Sequence, residues 1–183
     1  MTRPDKLVIV DVEATCWQGK VPPDQQNEII EIGVCLFDLN THEPSDKRSL
    51  LVKPVRSTVS PFCTELTTLT QAQVDQGLSF AEACAVLKND YRADQRAWAS
   101  WGDYDRQMFE RQCASFGVPY PFSRAHINIK QLFAEVHQLR RQVGMARALD
   151  MTGLALEGVH HRGGDDAWNI ARLLQTILSQ HEH

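Results

Sequence analysis

Leu7-Val8-Ile9-Val10-Asp11-Val12-Glu13 is a short apolar, β-branched run that ends in carboxylates. Four apolar residues in succession suit a strand buried on both faces, and the acids after them suit a strand whose last residues reach a surface. Asp11 and Glu13 are two positions apart, so on a strand of period two both side chains leave the same face and can reach one site. For an arbitrary Asp-x-Glu the default is a strand that ends in solvent. The pair alone is weak evidence.

Outward from this run, residues 18–26 form a polar, proline-containing stretch. Residues 28–38 read as a second strand through Ile29, Ile30, Ile32, Val34, Leu36 and Phe37, and residues 48–54 as a third. The connection over residues 40–47 is too short for a helical crossover, which predicts an antiparallel meander. Residues 59–70, rich in Thr, Ser and Pro, read as irregular. Ser79-Phe80-Ala81-Glu82 opens a helix with a capping-type start. Residues 97–100 predict a fourth strand leading through Trp101-Gly102 into a helix over 104–116. Residues 127–129 predict a fifth strand, followed by helices over 131–141, 146–156 and 165–178. Strands first, then strands alternating with helices, predict a mixed α/β sheet covered by helices.

The 183 residues suit one core, with no internal repeat, low-complexity segment or linker. Hydrophobic residues at 43% and charged residues at 23% belong to an ordinary globular composition, and no apolar run is long enough to span a bilayer. The apolar run over residues 7–10 is too brief for the core of a signal peptide, so a cytoplasmic location without membrane contact is expected. Five cysteines, Cys16, Cys35, Cys63, Cys84 and Cys113, are odd in number and contain no CxxC pair. They read as reduced, mostly buried small hydrophobes. A formal net charge of −4 argues against a broad duplex-binding surface, which needs clustered Lys and Arg. It leaves room for a small site that grips a few terminal nucleotides through bound cations.

Two further clusters carry acids. Ser100-Trp101-Gly102-Asp103-Tyr104-Asp105 puts an acidic pair where a strand hands over to a helix, and Gly158-Val159-His160-His161-Arg162-Gly163-Gly164-Asp165-Asp166 is a Gly-rich loop opening the last helix. Carboxylates at helix starts are ordinary caps, which accounts for one acid in each cluster but not for both. Three carboxylate clusters at strand ends and helix starts, with a histidine nearby, can supply oxygen ligands for two hard divalent cations and a proton acceptor.

The constellation resembles the DEDDh branch of the DnaQ-like, ribonuclease H-fold 3′-5′ exonucleases, with the first motif seen as Asp11-Val12-Glu13-Ala14-Thr15-Cys16. Within that superfamily the wording is similar to the enhanced-RNA-interference exonucleases and the KinA-pathway-inhibitor-like (KapD-like) bacterial proteins. The stretches that carry this are residues 11–17, Asn27-Glu28-Ile29-Ile30-Glu31-Ile32-Gly33, Pro61-Phe62-Cys63-Thr64-Glu65-Leu66-Thr67, residues 100–105 and residues 160–172. The resemblance covers nearly the whole chain and does not extend to the RNA-binding appendages of some eukaryotic relatives.

It implies a ribonuclease H-like mixed five-stranded sheet flanked by helices, with residues 1–183 as a single exonuclease domain. It implies hydrolysis of single-stranded RNA or DNA from a free 3′-hydroxyl, with RNA favoured, by two divalent cations, Mg²⁺ or Mn²⁺, releasing nucleoside 5′-monophosphates. In that pattern Asp11, Glu13, Asp105 and Asp166 match the metal-holding carboxylates and His161 the general base. Asp105 is preferred to Asp103 because Tyr104 supplies the aromatic residue that precedes the family's acid. The pair His161 and Asp166 fits the HxxxxD text better than His160 and Asp165, which share the offset. The resemblance also points to backbone around Ala14 and Thr15 for the terminal sugar and to Phe62 and Leu66 beside the terminal base, although for each of these two a core position is the default. Trp17 is ambiguous, Trp101 and Trp168 read as packing residues, and Arg162 and Lys130 as solvent-exposed charges able to reach phosphates. A catalytically weak nucleic-acid-binding module that keeps the fold is the alternative, and the intact acid and histidine set argues against it.

Overall fold

The computed structural model describes residues 5–179. Five strands, β1 (Lys6–Ala14), β2 (Ile29–Asp38), β3 (Pro44–Leu51), β4 (Trp98–Ser100) and β5 (His126–Asn128), form one sheet in the order β3-β2-β1-β4-β5. The first three make the expected antiparallel meander, and β4 and β5 join parallel to β1. The sheet is therefore mixed, as the element pattern predicts.

Period-two alternation along β1 decides what each face meets. Val8, Val10, Val12 and Ala14 enter a core shared with α3 (Phe80–Tyr91) and α4 (Tyr104–Phe116), whereas Leu7 and Ile9 enter a second core. That second core is built with α5 (Ile129–Val136), α6 (Met145–Thr152) and α7 (Gly163–Ser179). Asp11 and Glu13 continue the Leu7–Ile9 side of the strand, so they emerge on the face covered by α7. On β2, Cys35 and Phe37 pack on this same face, which puts Glu31 and Gly33 there too. A Cβ built on Gly33 would lie 1.7 Å from the carbonyl carbon of Gly163, so glycine at 33 is what lets α7 start against the sheet backbone.

Three expectations need correction. β3 begins at Pro44 and ends at Leu51 rather than spanning 48–54. It is an edge strand whose Asp46, Lys47, Arg48 and Ser49 are exposed, and charged side chains on an unpaired edge read as loop although they suit such a strand. Residues 59–70 are not irregular: they hold α1 (Pro61–Thr67) and lead into α2 (Gln71–Val74). The Ser60 side chain caps Cys63 N, with Pro61 in the first helical turn, a start signal present in the sequence. Finally α5 starts at Ile129 and stops at Val136, with Gln138 at a φ of 52°, while α6 stops at Thr152 because Gly153 takes the left-handed conformation (φ 70°). Such a residue closes a helix on its last carbonyls.

All five cysteines are free thiols, four of them buried and Cys16 half-buried. Among the described residues no helix is long and apolar enough to cross a membrane.

Candidate active site

A cleft of about 330 Å³ opens where β1 and β4 end, lined by Asp11, Glu13, Asp105, His160, His161 and Asp166, with Trp101, Tyr104, Gly144 and Met145 around them. Parallel strands of an open α/β sheet commonly present their sites at their carboxyl ends, and β1 with β4 is such a pair. Asp11, Glu13 and Asp166 each offer a carboxylate oxygen within 4.8 Å of the others. Asp105, buried in the first turn of α4, accepts a hydrogen bond from the Val12 amide at 2.8 Å. Three sequence clusters, one on β1 and two at helix starts, thus converge on one side of the sheet.

The local alternatives separate in space. Asp103 stands outside the cleft lining, 3.4 Å from an Arg106 guanidinium nitrogen and 3.8 Å from His126. Asp165 also lies outside it, accepting from Lys47 and from Val159 N at 2.9 Å. The histidines do not separate in this way. His160 and His161 stack with centroids 3.9 Å apart, His160 Nδ1 lies 3.1 Å from Asp166 Oδ1, and the His161 amide donates to Asp166 Oδ2 at 2.9 Å.

The exonuclease family model RNase_T matches residues 8–174. The chain belongs to this exonuclease family. It is 33% identical over 187 residues to 3′-5′ exoribonuclease 1 of Homo sapiens, an alignment covering 95% of this chain and 52% of the human protein. It is 30% identical over 190 residues to the 3′-5′ exonuclease Snipper of Drosophila melanogaster, covering 92% of this chain and 67% of that protein. The chain therefore spans about half to two thirds of these relatives. The nuclease domain of 3′hExo, a DEDDh family member solved bound to rAMP, superposes with a TM-score of 0.88 at 30% identity, covering 98% of this chain and 94% of that one. The fold is ribonuclease H-like, as in that DEDDh member.

Electrostatics mark the exonuclease-family cleft as a cation sink. Burial, then the charges of Asp105, Glu13, Asp166 and Glu31, push the Asp11 carboxyl well above the usual range. Burial first and then Asp166 lift Glu13 to about 8. Burial lifts Asp105 to about 7 against the lowering effect of the Val12 hydrogen bond. Asp166 is also raised, by burial, and its two histidines oppose the rise. The charged neighbours that raise Asp11 most are all carboxylates. Clustered, partly desolvated carboxylates with spare oxygens suit hard divalent cations. His161 is shifted the other way: burial, then the adjacent His160, lower its proton affinity, which favours neutral imidazole near pH 7.

The residues expected to touch substrate divide. Ala14 is buried at the end of β1. Thr15 is tied into the fold: its amide donates to Glu28 O, its hydroxyl donates to Gln26 O and accepts from Glu28 N, and its carbonyl accepts from Asn27. With its only amide spent inside the fold, Thr15 holds the turn after β1. Phe62 and Leu66 are not core residues, being 36% and 38% exposed on α1. They are four apart and share a helix face, next to the end of β1, where Cys63 Sγ lies 3.6 Å from Ala14 O. Trp17 is half-buried. Trp101 lines the cleft and donates to Val143 O, and Trp168 packs against the second core and donates to Glu157. Lys130 is half-buried, its stem 3.6 Å from where a Gly102 Cβ would lie. Arg162 is not a solvated charge, because its guanidinium is paired with fully buried Glu31.

In the sequence Glu31 stands out only as part of a family stretch and Tyr104 only as the aromatic residue before Asp105, while Gly144 and Met145 do not stand out at all. A glutamate inside the apolar run Ile29-Ile30-Glu31-Ile32 is a visible signal, since a buried acid needs a partner. Gly144 and Met145 carry none, because only the return of α6 brings them to the cleft.

Proposed function

We propose that this chain is a single 3′-5′ exonuclease domain that removes nucleoside 5′-monophosphates one at a time from a free 3′-hydroxyl end of single-stranded RNA, with single-stranded DNA as a second substrate. The observation that carries the proposal is the meeting of Asp11, Glu13 and Asp166 within 4.8 Å in a cleft that also holds Asp105 and His161. Asp11, Glu13, Asp105 and Asp166 would hold two divalent cations, Mg²⁺ or Mn²⁺. Cations bound there supply the positive charge that steadies the attacking and leaving oxygens of a phosphodiester.

In this reading neutral His161 takes a proton from the attacking water, and Asp166 orients the loop that carries it. The phosphorus–O3′ bond of the terminal linkage breaks, which frees a nucleoside 5′-monophosphate and leaves a new 3′-hydroxyl. Phe62 and Leu66 present apolar surface against which an unpaired terminal base can stack. The preference for RNA is supported by the human relative's name as an exoribonuclease.

The test is a timed digestion of matched 5′-labelled RNA and DNA oligonucleotides, single- and double-stranded, with Mg²⁺ or Mn²⁺. A ladder shortening one nucleotide at a time from the 3′ end, blocked by a 3′-phosphate, is expected. Cleavage of a circular substrate, or hydrolysis confined to dinucleotides, contradicts the proposal.

A further inference from the structure

Arg162 stands between His161 and the first residue of α7, and its guanidinium grips the side chain of Glu31 in the middle of the sheet. Arg162 Nε lies 3.1 Å from Oε2 and Nη2 lies 3.2 Å from Oε1, so the fork spans both oxygens. The Glu31 carboxylate also accepts from Gly163 N at 3.0 Å and from the Ser49 hydroxyl. Glu31 has no solvent exposure and lies directly across from Glu13 in the β1–β2 register.

These contacts fix one end of the histidine loop. Arg162 and Gly163 are tied to β2 through Glu31, and Gly163 rests against the Gly33 backbone two residues further along the same strand. The other end is fixed by Asp166, whose amide donates to Arg162 O at 2.8 Å and whose carboxylate accepts the His161 amide. Between the two anchors His161 sits at a φ of 63°, a left-handed conformation that a non-glycine residue keeps only where its surroundings impose it.

We infer that Glu31 and Arg162 are positioning residues for phosphodiester hydrolysis: their ion pair, in which Glu31 is fully buried and Arg162 half-buried, holds the His161 imidazole, with the Gly163 amide, in its reacting geometry beside Asp166. The inference rests on the reading of His161 as the proton acceptor. A buried ion pair adds little net stability, because desolvation offsets the attraction. What a bidentate pair adds is direction. Arg162 is absent from the cleft lining, so the pair acts through its neighbours and not on the substrate.

The test is a double-mutant cycle with single-turnover rates, KM and melting temperature measured at saturating Mn²⁺. Glu31→Gln keeps an acceptor for Gly163 N but removes the charge, and Arg162→Lys keeps a charge that cannot span both oxygens. Each is expected to lower the rate constant roughly 10- to 100-fold, the scale of a misplaced reacting group, with KM nearly unchanged. In a His161→Ala background the same changes are expected to cost less than about threefold, since the group they position is gone. Losses that stay additive in that background overturn the positioning role alone. A fall in melting temperature with an unchanged rate constant also overturns it, leaving the pair a purely structural contact. A full-rate His161→Ala protein overturns both the base assignment and this inference. Should Glu31→Gln fail to fold, Arg162→Lys carries the cycle, because its side chain is 30% exposed and the change buries no new group.

Discussion

The Val12 amide and the Asp105 carboxylate, 93 positions apart in the chain, are joined by a 2.8 Å hydrogen bond. Val12 stands between Asp11 and Glu13, so the bond that pins α4 to β1 also places the Asp105 acid beside the other two. Asp103, two residues earlier, is occupied by Arg106 and His126 outside the cleft. Asp105→Ala is expected to lower the hydrolysis rate roughly 100-fold or more, as loss of a charge-stabilising group does, and Asp103→Ala less than about threefold. Because alanine also strips the Val12 amide of its partner, about 1–3 kcal/mol of stability goes with it. Asp105→Asn keeps an acceptor and separates the two effects: stability near wild type with a collapsed rate supports the assignment, and the reverse order of Asp103 and Asp105 refutes it.

Asp11→Asn is expected to abolish turnover and, in chelator, to raise the melting temperature. The carboxyl is crowded by burial and by Asp105, Glu13, Asp166 and Glu31, so removing its charge relieves repulsion at nearly constant volume. Near-wild-type activity at saturating Mg²⁺, or a lower melting temperature in chelator with native circular dichroism, contradicts this.

Stability of the metal-free protein is expected to depend on pH in the direction opposite to that of a salt-bridged acid. Glu13 is raised from 4.5 to about 8 and Asp105 from 3.8 to about 7. Between those limits the folded state binds more protons than the unfolded one, so stability falls as pH rises through the window and levels off above it. In chelator the melting temperature should therefore drop from about pH 5 to about pH 8. Added Mg²⁺ or Mn²⁺ should restore more at the upper end, where protons no longer compete for the oxygens. A melting temperature that climbs through this window without a cation response would falsify the cation-sink reading of the cleft.

Phe62→Ala and Leu66→Ala should raise KM for single-stranded oligonucleotides several-fold and leave the melting temperature within a few degrees. Both side chains are more than one third exposed, so truncation opens little cavity, whereas removing the aromatic stacking surface of Phe62 costs about 1–3 kcal/mol of binding per base and removing Leu66 takes away a smaller apolar contact. A large stability loss with unchanged KM would return both residues to a packing role.

The sequence told most where the physics is local. The apolar run over residues 7–10 marked a buried strand, the two-residue spacing of Asp11 and Glu13 put them on one face, and the Ser79 capping box marked the start of α3. The helix over 104–116 has the limits its pattern implies. What was not legible depends on partners distant in the chain. The edge position of β3 makes a polar stretch a strand, and the approach of Gly163 to Gly33 explains two glycines that turn chemistry does not. Arg162 reads as a solvated charge until Glu31, 131 positions away, is seen to receive it. The choice between Asp103 and Asp105 likewise turned on a family pattern, because the Val12 contact that places Asp105 in the cleft joins positions 93 apart in the chain.

The last prediction separates His160 from His161, which share one carboxylate but in different ways. His161 gives Asp166 a backbone amide and keeps its imidazole free of that contact, while His160 spends Nδ1 on Asp166 Oδ1 at 3.1 Å. Loss of the His160 ring therefore disturbs a candidate metal ligand, and loss of the His161 ring removes the candidate proton acceptor. His160→Ala should weaken apparent Mn²⁺ affinity and recover most of its rate at saturating Mn²⁺. His161→Ala should bind Mn²⁺ and oligonucleotide almost normally yet stay roughly 100-fold or more slow at any Mn²⁺ concentration, the usual scale for a general base. Burial and the neighbouring His160 lower the proton affinity of His161 below its ordinary 6.5. At saturating Mn²⁺ the acidic limb of the wild-type rate profile should accordingly fall below that value and vanish in His161→Ala, where no imidazole remains to be protonated. An acidic limb that survives in His161→Ala and disappears in His160→Ala transfers the base to His160, whose Nε2 then has to face the water while Nδ1 keeps its hold on Asp166.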